Sequence, residues 1–415
     1  MDTVKYVNDL CAEVKKAQLS LSVAKTADKN DALQAISDTL RANKEYILAE
    51  NERDISLADQ NGVPKTMIDR LRLTSERIDG IADALIDVIK RPDPCGKGTV
   101  TTRPNGLTIT KTRVPIGCIG IIYEARPNVT VDAAALCLKS GNGVVLKGGK
   151  EAINTNRALM SVMKKALEST KISPDVMALI DSTERAATTA LMNARGLIDV
   201  LIPRGGKGLI RAVCENASVP VIETGAGNCH VYVDSEADLD KALCVAVNAK
   251  MSRPSVCNAA ETMLVHESVA KEFLPMFAKA TEGKLEIRGC EKTVSLVTGA
   301  IKATDEDYDT EFNDYVLAVK VVESIEDAID HIRRYTTGHS ECIITEDLSH
   351  ARLFTESIDC AAVYVNASTR FTDGGEFGFG AEIGISTQKL HARGPMGLDE
   401  LTTVKYIVQG DGQTR

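Results

Sequence analysis

The fold is decided by Cys118-Ile-Gly-Ile-Ile122, the helical stretch from Val131 to Lys139, and Gly143-Val-Val-Leu-Lys147. Both apolar runs are short and lack polar alternation, which is typical of strands buried on both faces. A helix between two such strands allows the second strand to run parallel to the first. This stretch therefore predicts one strand-helix-strand unit of a parallel sheet.

The same alternation continues along most of the chain. Further strands are predicted at Val176–Ile180, Asp199–Ile202, Pro220–Glu223 and His230–Asp234, and further helices at Thr155–Ser169, Thr183–Asn193 and Gly208–Asn216. A second series follows, with strands at Glu261–His266, Tyr315–Val322, Cys342–Thr345 and Ala362–Asn366 and helices at Leu239–Lys250, Ser268–Ala280, Ile325–Tyr335 and Ser349–Ser357. We expect His230–Asp234 to close the first series. The pattern predicts an α/β chain with two parallel-sheet units.

The N-terminal region and a later hairpin have different periods. Residues 1 to about 90 show helical spacing of apolar side chains, for example Ile78, Ile81, Leu85 and Ile89. The alternating residues on both sides of Asn105-Gly106 predict a β-hairpin. This hairpin has no core face of its own. Pairing with another chain and an ordinary surface hairpin both fit the pattern, and Leu401–Val408 is the last predicted strand.

Composition excludes several classes of function. A net charge of −9, no Trp and 4% aromatic residues argue against a nucleic-acid surface. Eleven cysteines form no C-x-x-C pair, and Met1-Asp-Thr-Val is no cationic-apolar leader, so we expect a cytoplasmic protein with reduced thiols. Six scattered histidines argue against a metal site, and no apolar run is long enough to span a membrane.

Chemistry is predicted at three places. Cys257 follows Pro254 on a predicted turn, and the nearby cations Arg253 and Lys250 favour the nucleophilic thiolate, although most cysteines are small buried hydrophobes. Arg204-Gly-Gly-Lys-Gly208 between a strand and a helix would let phosphates approach the backbone, and an ordinary tight turn is the alternative. The glycine-punctuated stretch from Asn366 to Gly397 is typical of a functional loop.

Long motifs then point to one family. They are Cys118-Ile-Gly-Ile-Ile-Tyr-Glu-Ala-Arg-Pro-Asn-Val-Thr-Val-Asp132, Lys139-Ser-Gly-Asn142, Leu146-Lys-Gly-Gly149, Pro203-Arg-Gly-Gly206, Ser252-Arg-Pro-Ser-Val-Cys-Asn258, Val365-Asn-Ala-Ser-Thr-Arg-Phe-Thr-Asp-Gly-Gly375 and Gln388-Lys-Leu-His-Ala-Arg-Gly-Pro-Met-Gly397. The chain resembles the γ-glutamyl phosphate reductases, a family of the aldehyde dehydrogenase superfamily. The resemblance implies NADPH-dependent reduction of glutamyl 5-phosphate to glutamate 5-semialdehyde in proline synthesis.

The resemblance also implies domain boundaries and partners. It places the NADP-binding domain at 1–98 and 120–234, the catalytic domain at 235–366, an active-site loop at 367–384, and an oligomerisation unit at 99–119 and 385–415. We therefore expect a homo-oligomer in which the hairpin and the last strand take part. Functional coupling to glutamate 5-kinase is a further implication.

Individual roles follow from matching positions in the motifs. By resemblance, Cys257 is the nucleophile, Lys147 holds the adenine ribose, and Gly205 and Gly206 approach the cofactor pyrophosphate. Glu311 matches a glutamate that binds the nicotinamide ribose, with a solvated surface acid as the alternative.

The oxyanion position departs from the superfamily pattern, since the turn reads Glu124-Ala-Arg-Pro-Asn128. We take Asn128 as the side-chain oxyanion donor. Glu223 matches the base that activates water in aldehyde oxidation, a role that an acyl-phosphate reductase does not need.

The substrate carries phosphate and carboxylate groups, which arginine can bind through two parallel hydrogen bonds. We expect Arg253 to face the phosphate and Arg370 to face the α-carboxylate, and structural salt bridges are the alternative. Three other classes stay open: a cysteine hydrolase with His266 as the partner, a CoA-dependent acylating dehydrogenase, and a non-catalytic binding protein.

Overall fold

The computed structural model of the chain describes residues 2–63 and 65–415, which form two compact units. The first unit takes in the chain up to Glu223 together with Gly378–Gly384 and Met396–Arg415, and the second takes in Thr224–Phe377 and Ile385–Pro395. Among the described residues, no helix has both the length and the apolar character needed to cross a bilayer.

Helices and strands alternate over most of the chain. The helices are α1 (Thr3–Leu21), α2 (Thr26–Ala42), α3 (Lys44–Gln60), α4 (Lys65–Leu71), α5 (Ser75–Lys90), α6 (Pro127–Lys139), α7 (Ile153–Leu167), α8 (Arg185–Met192), α9 (Lys207–Asn216), α10 (Leu239–Met251), α11 (Glu267–Ala280), α12 (Glu291–Leu296), α13 (Asp305–Tyr308), α14 (Ile325–Tyr335) and α15 (Leu348–Ser357). The strands are β1 (Gly98–Thr102), β2 (Thr108–Pro115), β3 (Cys118–Tyr123), β4 (Gly143–Lys147), β5 (Met177–Leu179), β6 (Val200–Arg204), β7 (Cys229–Val233), β8 (Ala260–His266), β9 (Glu286–Gly289), β10 (Ile301–Lys302), β11 (Val316–Val322), β12 (Ser340–Ile344), β13 (Ala362–Val365), β14 (Ile385–Ser386), β15 (Gly394–Pro395) and β16 (Thr402–Gln409).

Helices α1 to α5 confirm the predicted helical region at the N-terminus. Helix α5 shows why the prediction succeeds. The side chain of Thr74 accepts a hydrogen bond from the Arg77 amide and so caps the start of the helix. Ile78 and Leu85 are buried on one face, as their spacing predicts.

The hairpin around Asn105-Gly106 is also confirmed. Strands β1 and β2 pair antiparallel, and the Asn105 side chain accepts a hydrogen bond from the Leu107 amide at the turn. Gly106 has a φ of 88°, a backbone conformation that a side chain would strain. Strand β16 pairs with the other edge of β2. All residues of β1, and all of β16 after Thr402, are exposed, so this sheet has a largely uncovered surface.

The first unit also contains a parallel sheet with the strand order β5-β4-β3-β6. The loops that follow β3, β4 and β6 therefore lie at the same edge of the sheet. The strand predicted at Pro220–Glu223 is wrong, because only Val221 bridges to Leu201. Pro220 has no N–H to donate to a ladder, and glycines follow at once in Thr224-Gly-Ala-Gly227.

The second unit contains a seven-stranded parallel sheet with the order β10-β9-β11-β8-β7-β12-β13. Strand β7, which we expected to close the first series, lies instead between β8 and β12. Every residue of β7 is buried, so the strand needs a neighbour on each edge, and a short apolar run does not indicate which sheet provides them. The short strands β9 and β10 were not predicted. Residues 385–395, expected in the oligomerisation unit, pair as β14 and β15 within the second unit.

One buried acid joins two helices of the first unit. Asp54 of α3 is buried, and its carboxylate accepts hydrogen bonds from the backbone amides of Asn154 (3.2 Å) and Thr155 (2.8 Å) at the start of α7. It also accepts from the Thr155 hydroxyl at 2.6 Å. The first amides of a helix lack partners within the helix, so Asp54 caps α7 from a neighbouring helix.

We expect Asp54→Ala to lower the free energy of unfolding by about 3 kcal/mol, because several buried donors would lose a charged acceptor. Urea titration followed by circular dichroism measures this change. Asp59→Ala is the matched control, since Asp59 lies on the same helix but is exposed, and a change within about 0.5 kcal/mol is expected. Equal effects of the two substitutions would contradict a capping role for Asp54.

Candidate active site

Cys257 lies in the turn between the end of α10 and the start of β8, and its side chain is half-buried. Asn258, the next residue, is buried and ties this turn to the glycine-rich stretch. Its carbonyl accepts a hydrogen bond from the Thr369 hydroxyl at 2.7 Å, and its side-chain amide donates to the Thr372 carbonyl at 3.0 Å. A thiol held this way is both accessible and fixed in position, as a nucleophile requires.

The Cys257 carbonyl packs against the segment that leads into β7. A Cβ atom placed on Gly227 would lie 1.5 Å from the Cys257 carbonyl oxygen, so only glycine fits. The Cys229 thiol is buried and donates a hydrogen bond to the same oxygen at 3.2 Å. Burial raises the pKa of Cys229 well above its usual range, which keeps this thiol protonated and able to donate.

Two arginines lie near Cys257, as the sequence predicts. The Arg370 Nε donates to the Ser252 hydroxyl at 3.0 Å, and its guanidinium also donates to the Asn258 side-chain oxygen. Burial lowers the pKa of Arg370, the positive charge of Arg253 lowers it further, and the charge of a Cys257 thiolate raises it. Arg253 itself is exposed. The Arg370 guanidinium therefore lies within electrostatic reach of both Arg253 and the Cys257 thiol.

Glu311 approaches the same turn from the loop between α13 and β11. Its Oε1 accepts a hydrogen bond from the Gly227 amide at 2.9 Å, and its side chain is half-buried. This contact distinguishes Glu311 from a simply solvated acid. Because Gly227 packs on the Cys257 carbonyl, the carboxylate is tied through one glycine to the cysteine turn.

Lys250 has a different environment from the one expected. Its Nζ lies 2.5 Å from Glu261 Oε2, and neither side chain is exposed. Burial raises the pKa of Glu261 to about 7, an effect that the Lys250 charge opposes, and burial lowers the pKa of Lys250. The Lys250 charge is thus paired with Glu261, which leaves Arg253 as the upstream cation that can act on the thiol.

Lys147 ends strand β4 in the first unit and is 6% exposed. Its Nζ donates to the Gly148 carbonyl at 3.0 Å, which uses one of its three hydrogen-bond donors. Burial lowers the pKa of Lys147, and the nearby Glu151 partly offsets this effect. A buried ammonium group at the carboxyl edge of a parallel sheet suits a polar ligand such as a ribose hydroxyl.

Gly205 and Gly206 lie between β6 and α9 at the same edge. A Cβ atom on Gly205 would lie 2.6 Å from Cδ of Glu124 and 2.8 Å from Cδ2 of Leu209. The Gly206 amide donates to Glu124 Oε2 at 2.9 Å. An anionic oxygen therefore already occupies this amide at the start of α9, which is the kind of contact that a phosphate oxygen makes.

Asn128 and Glu223 also lie in the first unit. Asn128 is exposed in the first turn of α6, and its side-chain amide donates to Asp132 at 3.0 Å. Burial raises the pKa of Asp132 to about 6, against the effects of Asn128 and the Arg204 charge. Glu223 is exposed, and its charge adds to the effect of burial in raising the pKa of Cys214.

The predicted residues fall into two sets. The second unit brings together Cys257, Arg253, Arg370 and Glu311, and the first unit carries Lys147, Gly205, Gly206 and Asn128 beyond parallel strands. Sequence reasoning missed the contacts of Gly227, Cys229, Asn258 and Glu261. Asn258 ends the cysteine motif and Glu261 follows it by three residues, so both could have been found. The contacts of Gly227 and Cys229 depend on the position of β7.

Other chemistries find less support in the second unit. His266 caps α11, and its ring nitrogen Nδ1 contacts the Ser268 hydroxyl at 2.7 Å. That contact is structural, so His266 does not fit the histidine partner of a cysteine hydrolase. Within residues 2–63 and 65–415, no three His, Cys, Asp or Glu side chains are placed to hold a metal ion.

Comparison with known proteins identifies the class. The sequence profile of the Aldehyde dehydrogenase family matches residues 2–296 and 301–407. The chain belongs to this family, and the aldehyde dehydrogenase-like α/β fold predicted from its motifs is confirmed.

Individual relatives show which members of the family the chain is highly similar to. The γ-glutamyl phosphate reductase of Clostridium acetobutylicum is 56% identical, and the alignment covers 100% of both chains. The enzyme of the same name from Carboxydothermus hydrogenoformans is 56% identical over 99% of both chains. The crystal structure of γ-glutamyl phosphate reductase from Thermotoga maritima matches with a TM-score of 0.95 and 49% identity over 99% of both chains. The resemblance drawn from the motifs is therefore confirmed.

The packing of Gly227 generates a test. Gly227→Ala would force its Cβ into the Cys257 carbonyl, so we expect the free energy of unfolding to fall by about 3 kcal/mol, measured by urea titration. Gly80→Ala serves as the control. Gly80 lies in helix α5, and a Cβ there would meet no described atom within 4 Å. A Gly227→Ala protein as stable as the Gly80→Ala protein would refute the close packing.

Proposed function

We propose that this chain reduces L-glutamyl 5-phosphate to L-glutamate 5-semialdehyde with release of phosphate, the second step of proline biosynthesis from glutamate. The half-buried Cys257 thiol beside Arg253 and Arg370 is the observation that carries the proposal. The full-length identity to γ-glutamyl phosphate reductases supports the same substrate. An acyl phosphate is an activated carboxyl group, and a thiolate between cations suits its attack.

NADPH is the proposed cofactor, in a family of nicotinamide-dependent enzymes. The residues fit such a molecule: Lys147 offers buried donors for the adenine ribose, and Glu311 offers a carboxylate for the nicotinamide ribose. At Gly205 and Gly206, a pyrophosphate oxygen would replace the Glu124 carboxylate that the Gly206 amide now binds. When bound, NADPH supplies the hydride. The first unit is thus the proposed cofactor-binding domain, and the second unit the proposed catalytic domain.

Covalent catalysis begins at Cys257. The thiolate forms a bond to the γ-carbonyl carbon, the carbon–oxygen bond to phosphate breaks, and phosphate leaves with the bonding electrons. Arg253 is exposed and charged, and it is the proposed partner of the departing phosphate. The product on the protein is a thioester, so one difficult reduction is divided into two easier steps.

Reduction of the thioester gives a tetrahedral alkoxide on Cys257. Its collapse expels the thiolate and frees the semialdehyde. The Cys257 amide and the Asn128 side chain are the proposed donors to the alkoxide oxygen, and each such donor typically contributes about a hundredfold to a thousandfold in rate. Glu223 has no required step, because no water attacks the thioester in this direction.

We also propose that the protein is a homo-oligomer in the cytoplasm. Its function is proposed to be coupled to that of glutamate 5-kinase. The sheet formed by β1, β2 and β16 supports self-association, because its outer strands expose Val100, Tyr406 and Ile407. Unpaired strand edges with exposed apolar side chains readily pair with another chain.

The central test is the reverse reaction. We expect the protein to reduce NADP⁺ when given glutamate 5-semialdehyde and inorganic phosphate, as followed by absorbance of the reduced cofactor. Omission of phosphate should nearly abolish turnover, and Cys257→Ser should lose at least about a thousandfold in kcat, since serine is a weak nucleophile without a base. Turnover that requires CoA in place of phosphate would indicate an acylating dehydrogenase instead. Turnover by Cys257→Ser at the parent rate would refute the thioester.

Arg370 gives a second test. Two of its nitrogens are engaged by Ser252 and Asn258, and the remaining N–H groups can bind the substrate α-carboxylate. We expect Arg370→Ala to raise the KM for semialdehyde at least about tenfold, the value of a lost charged hydrogen bond.

The matched control for Arg370→Ala is Arg352→Ala, an exposed arginine of the same unit that pairs with Glu356. Its steady-state parameters should match those of the parent. An unchanged KM for Arg370→Ala would remove Arg370 from the carboxylate site.

A further inference from the structure

A buried ion pair brackets the turn that carries Cys257. Lys250 lies in the last turn of α10 before the cysteine, and Glu261 is the second residue of β8 after it. Their side chains are 0% exposed, and Nζ lies 2.5 Å from Oε2. The pair therefore joins the two ends of the segment from which the proposed nucleophile projects.

The second oxygen of Glu261 extends this connection to another loop. Its Oε1 accepts a hydrogen bond from the Asn313 backbone amide at 3.1 Å. Asn313 has a φ of 56°, in the left-handed region that asparagine adopts more readily than most other non-glycine residues. The Asn313 side chain in turn lies 3.4 Å from the Glu311 carbonyl. Glu261 therefore fixes the loop on which Glu311 lies.

Glu311 closes the connection at the cysteine turn. Its carboxylate accepts from the Gly227 amide at 2.9 Å, and Gly227 packs on the Cys257 carbonyl. A continuous series of contacts thus runs from the cysteine turn through Glu261 and Asn313 to Glu311, and from Glu311 through Gly227 back to the turn. All of its members belong to the second unit.

The energetics of buried ion pairs indicate whether this series of contacts contributes to stability or to the position of residues. Desolvation of two charges offsets much of their attraction, and well-packed apolar residues often stabilise a fold equally well. A leucine at 261 could fill space but could not accept the Asn313 amide. The carboxylate is needed to hold an oxygen at one place, and Lys250 is needed to keep that carboxylate ionised inside the unit.

We infer that the Lys250–Glu261 pair is a positioning element that holds Glu311 and Cys257 in one frame, so that the carboxylate for the nicotinamide ribose stands at a fixed place relative to the nucleophile. This inference rests on the proposed function, because it takes Glu311 as the ribose ligand. It assigns Lys250 and Glu261 no contact with the substrate or the cofactor.

A double-mutant cycle on NADP⁺ binding tests the inference. The dissociation constant of NADP⁺ is measured by titration calorimetry for the parent, Glu261→Leu, Glu311→Gln and the combined variant. Because Glu261 acts through Glu311, we expect Glu261→Leu to weaken binding about tenfold in the parent and less than about twofold in the Glu311→Gln background. A merely structural role would give equal losses in both backgrounds.

The charge-free variant Lys250→Met/Glu261→Leu covers the case in which Glu261→Leu alone leaves a bare buried lysine and fails to fold. We expect it to fold, to weaken NADP⁺ binding about tenfold, and to lose about a hundredfold in kcat with the KM for semialdehyde unchanged, as small misplacements of reacting groups do. Glu346→Gln, in the exposed pair with Lys241, is the control and should change none of these values.

Three results would overturn the positioning role: additive losses in the cycle, NADP⁺ binding unchanged by Glu261→Leu or by the charge-free variant, or a charge-free variant that cannot fold, which would assign the pair to stability alone. A parent protein that binds no NADP⁺ would refute the proposed function itself. A parent that binds and reduces NADP⁺ but shows additive losses would refute the pair's role and leave the proposed function intact.

Discussion

The close packing of Gly227 on the carbonyl of Cys257 is the constraint on which the second unit depends. No side chain fits between the two backbones, so the segment entering β7 and the cysteine turn approach to main-chain distance. This approach lets the Cys229 thiol reach the Cys257 carbonyl and lets the Glu311 carboxylate reach the Gly227 amide. The absence of a Cβ at Gly227 thereby lets three chain segments meet at the backbone of the cysteine turn.

The positive side chains near Cys257 differ in how deeply they are buried. Lys250, Arg253 and Arg370 are the three cations considered near Cys257, and they have different environments. Lys250 is buried and neutralised by Glu261, Arg370 is half-buried and hydrogen-bonded, and Arg253 is exposed. Only cations that keep access to the thiol can meet an anionic substrate there. Burial, rather than distance along the chain, decides which of the three does so.

Much of this arrangement could be predicted from the sequence. Strongly periodic segments gave the right type of element, as in α5 with Ile78 and Leu85, and the Asn105-Gly106 turn gave the hairpin. The position of Cys257 between a helix and a buried strand was also predicted. These features are local, so nearby residues determine them.

The failures concern non-local information. The apolar run of β7 looks the same whether it joins one sheet or the other, and only its neighbours β8 and β12 decide. The strand assigned at Pro220 is the exception, because the missing N–H of a proline is a local signal. The pairing of Lys250 with Glu261 depends on a side-chain direction that spacing does not specify.

The three-stranded sheet has a consequence for synthesis of the chain. Arg113 of β2 binds the carbonyl of Asp399, just before β16, across 286 positions of sequence. At about 5–20 residues per second, a ribosome needs on the order of 15–60 seconds to make the intervening polypeptide. During that interval the hairpin leaves the exit tunnel with one edge of β2 uncovered. The nascent chain thus carries an open strand until β16 emerges, and an unpaired strand edge can pair wrongly with other chains during that period.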